Sequence, residues 1–196
     1  MTLRLSLFCL LAALFLIAGC TRSPDETSIR AGGESSHLDC ILLLHQLLSE
    51  EQHLSKLLLI KKESDALEEL VKSISKTAAE HVPTLENMVV QMGKQSGALV
   101  LPPGETATRK AIAKTKQDAL LAASGVEFEF EVLLTQVEAL NYGTHLALVA
   151  SNHAPNPERA AQLLRMRTDL LDLHRDVTRH LRATAKRLAD GPDRRE

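Results

Sequence analysis

The sequence predicts an all-α domain built as a four-helix bundle. Leu and Ala dominate its composition, whereas Gly and Pro, which disfavour helix interiors, number only 9 and 7 among 196 residues. Apolar residues recur every three or four positions along several long segments, which is the spacing of one face of an α-helix. Four such segments of similar length favour a bundle in which each apolar face is turned inward.

The first long helix is predicted over residues 37–61. Residues 20–36 before it are rich in Ser, Gly and charged side chains, a composition typical of a flexible tether. The folded domain is therefore predicted over residues 37–190. Residues 191–196 are predicted to be a disordered tail.

The second long helix is predicted over residues 65–94, with Asp65 and Glu68 as a capping box at its start. Pro83 lies in its interior, where a proline removes one backbone hydrogen bond and favours a kink. Such a kink either opens a gap beside His81 or simply bends the helix around the core. The apolar stripe of this helix alternates between spacings of four and three: Leu67, Val71, Ile74, Ala78, His81, Leu85, Met88 and Met92.

An additional short amphipathic helix, between the second and third long helices, is predicted over residues 106–122. It follows a break at residues 97–104 that contains two consecutive prolines. The third long helix then runs to residue 152, and the pattern Ser124-Gly125-Val126-Glu127 suits a capping box at its start. Gly143 weakens this helix by about 1 kcal/mol relative to Ala, which favours a close contact with a neighbouring helix there.

The fourth long helix is predicted over residues 157–189. Asn156 supplies an N-cap, Pro157 suits the first helical position, and Glu158 adds an acid in the first turn. The apolar stripe of this helix comprises Leu163, Leu170, His174, Val177, Leu181 and Leu188.

The N-terminus has the features of a bacterial lipoprotein signal. Its apolar run over residues 5–17 is shorter than the roughly 20 residues that span a bilayer. The run ends in Ile17-Ala18-Gly19-Cys20, which resembles a lipobox, so residues 1–19 are predicted to be removed and Cys20 to carry a membrane-anchoring lipid. The alternative is a short anchor that stays attached. Thr21, by resemblance to lipoprotein sorting in Gram-negative bacteria, indicates the outer membrane of the cell envelope, with the domain facing the periplasm.

The composition argues against several classes of partner. The formal net charge is −2, aromatic residues make up 3% of the chain and Trp is absent, which disfavours nucleic-acid binding and aromatic ligand cages. Of the three cysteines, Cys9 leaves with the signal and Cys20 carries the lipid, so Cys40 has no intramolecular partner. Cys40 is predicted to be a small buried apolar residue, or alternatively to form a disulfide between two chains.

Two histidines occupy positions where the apolar pattern asks for leucine: His81 on the second helix and His174 on the fourth. With a carboxylate from Glu51 or Glu138, they are candidate ligands for a transition metal, namely Zn, Cu or Fe. A carboxylate-bridged two-metal site needs two Glu-x-x-His pairs, and the sequence has one, at residues 50–53. The alternative is that each histidine is a hydrogen-bonded core or rim residue.

Six short motifs follow one another along the domain: Val71-Lys72-Ser73-Ile74, Glu80-His81, Leu101-Pro102, Ser124-Gly125-Val126-Glu127-Phe128-Glu129, Gln136-Val137 and Leu171-Asp172-Leu173-His174. Their order and spacing resemble a family of uncharacterised bacterial periplasmic proteins described as ferritin-like. The resemblance implies a ferritin-like four-helix bundle, exported or membrane-tethered, with no established reaction. It also marks a histidine on the third long helix where this chain has Leu140, and it leaves the last family histidine to His174 or His180.

The leading interpretation is a lipid-anchored envelope protein that acts by non-enzymatic binding or protection. The sequence has no hydrolase motif and no phosphate-binding loop. Two rival hypotheses are a ferritin-like metal-binding or redox protein and a structural or partner-docking lipoprotein. Convergence of His81, His174 and a carboxylate would favour the first rival, and a contiguous exposed apolar patch would favour the second.

Overall fold

The computed structural model describes residues 26–59, 64–94, 101 and 103–191. These residues form five α-helices, in chain order α1 (Glu26–Glu51), α2 (Asp65–Gln91), α3 (Pro103–Ala122), α4 (Gly125–Asn152) and α5 (Pro157–Asp190). A 3-10 segment, Leu54–Leu59, lies between α1 and α2. Within these residues there is no strand. The predicted all-α fold class is confirmed.

Four of the helices, α1, α2, α4 and α5, form a ring of antiparallel neighbours. α1 contacts α2 and α4, and α5 contacts α4 and α2, with the most extensive contact between α4 and α5. Cross-helix hydrogen bonds fix the directions: His37 in the first half of α1 bonds to the Ala150 carbonyl near the end of α4, and Arg159 at the start of α5 donates to Gln91 at the end of α2. α3 packs against α4 and contributes no buried residue, so it is an additional helix outside the ring.

The interior of the ring is filled by the apolar stripes of its four helices. In the predicted stripe of α2, every residue except His81 and Met92 is buried. Each fully buried side chain of this size contributes roughly 1.5–3 kcal/mol to folding. The large side chains that are almost completely buried come from all four helices: Ile41, Leu44, Leu48, Val71, Ile74, Leu85, Val89, Leu140, Leu163, Met166, Leu170 and Val177.

The N-termini of α5 and α2 are capped by side chains. The Asn156 side chain accepts a hydrogen bond from the Arg159 N–H at 2.9 Å, which confirms the predicted cap of α5. The cap of α2 is Ser64, which accepts from the Leu67 N–H at 3.4 Å. The capping box predicted to begin at Asp65 is therefore wrong by one residue, and Asp65 lies in the first turn, where a carboxylate interacts favourably with the helix dipole.

The start of α4 depends on a glycine rather than on a capping side chain. Ser124 occupies the predicted N-cap with extended backbone, but its side chain makes no capping hydrogen bond. The predicted capping box is thus right in position and wrong in its hydrogen bond. Gly125 has a φ of +54°, a left-handed conformation that is costly for residues with a Cβ atom. The turn between α3 and α4 therefore requires Gly125.

The start of α1 differs from the prediction. The helix begins at Glu26, so residues 26–36, predicted as part of a flexible tether, belong to it. The flexible tether was predicted from the Ser, Gly and charged residues of this segment. Gly32 and Gly33, however, each cost only about 1 kcal/mol in a helix interior. Pro24 is the last proline before α1, and none follows until Pro83. The remaining tether residues, 20–25, lie outside the described residues.

The end of α1 also comes earlier than residue 61, at Glu51. Ser75 of α2 explains this end, because its hydroxyl donates to the Glu51 carbonyl at 3.2 Å and accepts from the Ser55 N–H at 3.0 Å. The bond to Glu51 satisfies one of the carbonyls that a helix C-terminus leaves open. The bond to Ser55 holds the 3-10 segment against α2.

α2 runs without a break across Pro83, whose side chain is exposed. The neighbouring His81 side chain is only 15% exposed and is hydrogen-bonded. This placement favours a simple bend over the alternative of a gap beside His81.

Gly143 lies where α4 approaches two other helices. A Cβ atom at this position would lie 3.0 Å from Leu47 Cδ2 of α1 and 3.3 Å from Leu170 Cδ1 of α5. The predicted close contact at Gly143 is confirmed, and it explains a glycine in the middle of a long helix.

We expect Gly143→Val to lower the free energy of unfolding by about 1–3 kcal/mol, because the added side chain must displace Leu47 and Leu170. Urea denaturation followed by circular dichroism measures this change. Gly104→Val is the matched control, since a Cβ at Gly104 of α3 would meet nothing within 4 Å. Equal effects of the two substitutions would contradict the close approach.

Candidate functional site

His81, the first candidate metal ligand, lies at the junction of α2 and α5. Its Nε2 is 3.0 Å from Oδ2 of Asp169 on α5. The two side chains are 15% and 51% exposed, so the pair bridges the two helices at the rim of the bundle. This is the hydrogen-bonded rim position that the sequence left as an alternative.

The other candidate ligands are distributed over separate parts of the bundle. Glu138 on α4 forms an ion pair with Lys116 on α3. His174 on α5 is half-buried and lines a surface groove together with Arg175, Thr178, Arg179 and Arg182. Glu51, at the end of α1, is half-buried, and its Oε2 atom is shielded from solvent.

The structure does not bring the four candidate ligands together. Among the described residues, no group of three or more His, Cys, Asp or Glu side chains is placed to hold a metal ion. His174 lies five residues after Asp169, the partner of His81, which is about 140° around the α5 axis. Metal binding stays a prediction, and elemental analysis of the purified chain beside its His81→Ala variant would decide it.

A buried histidine that the sequence did not single out lies beside the end of α4. His37 is 3% exposed, and its Nδ1 is 2.7 Å from the Ala150 carbonyl oxygen. Burial lowers the pKa of His37, although the bond to Ala150 opposes this. His37 begins a stripe with Ile41, Leu44 and Leu48 at spacings of four and three. Extending that stripe backward by one position would have found it.

Glu51 is the most perturbed acid among the described residues. Its carboxyl group accepts a hydrogen bond from the side chain of Gln136 on α4, itself only 2% exposed. Burial raises the pKa of Glu51 to about 7, against the opposing effects of Gln136 and Lys116, and the neighbouring charge of Glu50 adds to the rise. Sequence reasoning named Glu51 as a ligand but could not detect this environment.

Two oxygen atoms of this pair are left without hydrogen bonds. Glu51 Oε2 and Gln136 Oε1 are both buried, and neither has a partner. An ionised Glu51 leaves a charge and two acceptors unsatisfied in the interior, which is costly. A protonated Glu51 offers an O–H donor, and the Gln136 oxygen is an acceptor of the kind that this donor needs. The neutral acid–amide pair is therefore the favoured state of this site.

We expect this pair to make stability depend on pH. Because the pKa of Glu51 rises from 4.5 to about 7 on folding, the folded chain keeps a proton that the unfolded chain releases. The contribution is fully present below about pH 4.5 and is lost as the pH rises through about 7, by up to about 3 kcal/mol. Urea denaturation across this range measures it.

The Glu51→Gln variant should lose this pH dependence and exceed the parent in stability above about pH 7. The comparison is made as a difference between the two proteins because His37, whose pKa is lowered by burial, acts in the opposite direction. Glu69→Gln on the exposed face of α2 is the control and should leave the slope unchanged. An identical slope in Glu51→Gln and the parent would refute the assignment.

A second buried acid joins three elements near the end of the bundle where α4 begins. Glu129 of α4 is 5% exposed, accepts from the Ser64 N–H at 3.3 Å, and pairs with Arg187 of α5. Burial alone would raise the pKa of Glu129, but the hydrogen bonds from Ser64 and Arg187 lower it overall. Because Arg187 also donates to Thr184 at 2.8 Å, the last turns of α5 are held against the first turn of α4.

An apolar cleft lies beside this ion pair, where α3, α4 and α5 meet. Leu188, predicted as part of the buried stripe of α5, is instead 37% exposed. The prediction fails there because Leu188 lies near the end of α5, where the neighbouring residues of α3 and α4 leave an open cleft in place of a packed interior. The cleft has a volume of about 440 Å³ and is lined by Ala119, Ala122, Ala123, Glu127, Phe130, Glu131 and Leu188.

Of Cys20 and Cys40, only Cys40 lies among the described residues. Cys20 lies outside the described residues, as do residues 1–19 and 192–196, so lipidation and the tail stay predictions. Cys40 is a free thiol packed half-buried against the core, rather than fully buried as predicted, and burial raises its pKa. In the part of the chain that is described, no helix is long and apolar enough to cross a membrane.

Comparisons of the chain with protein-family models, curated proteins and solved structures returned no match. The resemblance to ferritin-like periplasmic proteins therefore rests on the sequence motifs alone. The function of the protein is therefore inferred from the geometry of this chain.

Proposed function

We propose that the protein is a lipid-anchored bacterial envelope protein, with a bundle of ferritin-like type, that acts by non-enzymatic binding of a protein partner. The observation that carries this proposal is the apolar cleft, which three helices form together on the outside of the bundle. A groove between helices that includes large apolar side chains, here Phe130 and Leu188, suits the docking of the apolar face of a partner helix. Of the three hypotheses drawn from the sequence, partner docking is the one this feature supports.

The direction of the helices supports a role away from the membrane. Residue 20 precedes the start of α1 by six positions, so the lipid would lie within about 20 Å of that end of the bundle. His37, eleven residues after the start of α1, is level with Ala150 near the end of α4, as the bond between them requires, so α1 begins beyond that end of α4. The cleft, however, lies at the beginning of α4 and the end of α5. An anchored domain would therefore present the cleft toward the periplasm.

The anchor is tested first. We expect Cys20→Ser to abolish acylation, so that mass spectrometry finds no lipid and the protein no longer fractionates with the outer membrane. A control substitution of the half-buried Cys40 to Ser should leave both properties intact. Outer-membrane retention of the Cys20→Ser protein would contradict lipid anchoring.

The cleft is tested with a photo-crosslinking amino acid placed at Leu188 in the anchored protein. We expect a defined crosslinked adduct on illumination of cells, because the side chain at this position faces a partner. Val149 is the matched control: it is 38% exposed against 37% for Leu188, but it lies near the other end of α4 and outside the cleft. Equal or absent crosslinking at both positions would count against docking through the cleft.

A further inference from the structure

The acidic side chains that line the cleft indicate the charge of the partner that it would bind. Glu127 and Glu131 of α4 line it together with the apolar side chains. They are four residues apart, so they lie on the same face of the helix, where two like charges disfavour each other by a few tenths of a kcal/mol. The other two acids of α4, Glu129 and Glu138, are paired with Arg187 and Lys116.

Neither Glu127 nor Glu131 forms an ion pair or a side-chain hydrogen bond with any of the residues described. Arg187, which lies next to Leu188 in the sequence, is already engaged by Glu129 and Thr184. The cleft therefore combines an apolar floor with two adjacent carboxylates that lack a cation. A ligand that complements both features needs an apolar stripe beside positive charges.

The residues that line the cleft suit a helical ligand. They combine three alanines of α3 and of the turn after it, Ala119, Ala122 and Ala123, with the larger apolar side chains of Phe130 and Leu188. Small side chains allow a backbone to approach closely, and a groove between helices is a common receptor for the apolar face of an amphipathic helix.

We propose that the cleft binds an amphipathic helical segment of a periplasmic protein whose apolar stripe is flanked by Lys or Arg. This inference rests on the proposed function and adds the chemistry of the partner to it. Residues 192–196 of the chain itself, Pro-Asp-Arg-Arg-Glu, contain no large apolar side chain to fill the floor. Anionic lipid headgroups do not fit either, because Glu127 and Glu131 repel them.

The test uses the full lipidated protein in maltoside micelles and three synthetic peptides of about 18 residues, or five helical turns. The first peptide has a Leu stripe flanked by Lys, the second has the same stripe flanked by Glu, and the third has the composition of the first in a shuffled order. Binding is measured by fluorescence anisotropy, and the signal from protein-free micelles is subtracted.

We expect the basic striped peptide to bind at least about tenfold more tightly than the other two at low salt, and more weakly as salt rises. The double variant Glu127→Gln, Glu131→Gln should reduce that affinity about tenfold, and Leu188→Ser should reduce it for both striped peptides. Glu69→Gln and Val149→Ser, both at exposed positions, are the controls and should change nothing. Thermal melting of each variant verifies that it is folded.

Equal binding of the basic and acidic striped peptides, lost in both cases with Leu188→Ser, would overturn the inference about charge and leave docking at the cleft intact. Failure of every peptide to bind, while crosslinking at Leu188 still captures a partner in cells, would also overturn the inference alone. Failure of both the peptides and the crosslinking would overturn the proposed function as well.

Discussion

The close packing of α4 against both α1 and α5 is the contact on which the rest of the bundle depends. Gly143 brings the α4 backbone within van der Waals reach of Leu47 on one side and Leu170 on the other. Because interiors are packed at the density of organic crystals, this spacing sets how far apart α1 and α5 can lie. It also fixes the heights at which side chains of the four helices meet.

The relative positions of the four helices along the bundle axis decide which polar side chains meet in its interior. At one level Glu51 meets Gln136, and at the end of the bundle Glu129 meets Arg187 and Ser64. The second acid is stabilised as an anion by its donors, whereas the first has one amide neighbour and is favoured as a neutral acid. Two buried glutamates in one bundle thus have opposite preferred charge states, and the difference follows from the number of donors that the packing supplies.

Much of this fold follows from local sequence patterns. The stripe of α2 and the cap of α5 could be predicted because they depend on residues three or four positions apart. The start of α1 could not, since Gly32 and Gly33 weaken a helix without forbidding it.

The site residues depend on contacts that no local pattern contains. The partner of His81 is Asp169, 88 residues away, and Glu51 meets Gln136 only because α1 and α4 run antiparallel. Leu188 has the spacing of a core residue, but it lines an open cleft together with residues of α3 and α4. Its exposure is a consequence of where the bundle ends.

The start of α1 and the cleft lie at opposite ends of the bundle, and the proposed orientation depends on this relation. A distance measurement between spin labels at positions 35 and 188, in a Cys40→Ser background, tests it directly. The register of the antiparallel helices places these positions about 24 residues apart in height, which is about 36 Å. A distance near this value supports a cleft that faces away from the membrane. A distance below about 20 Å would place both at one end and contradict the claim.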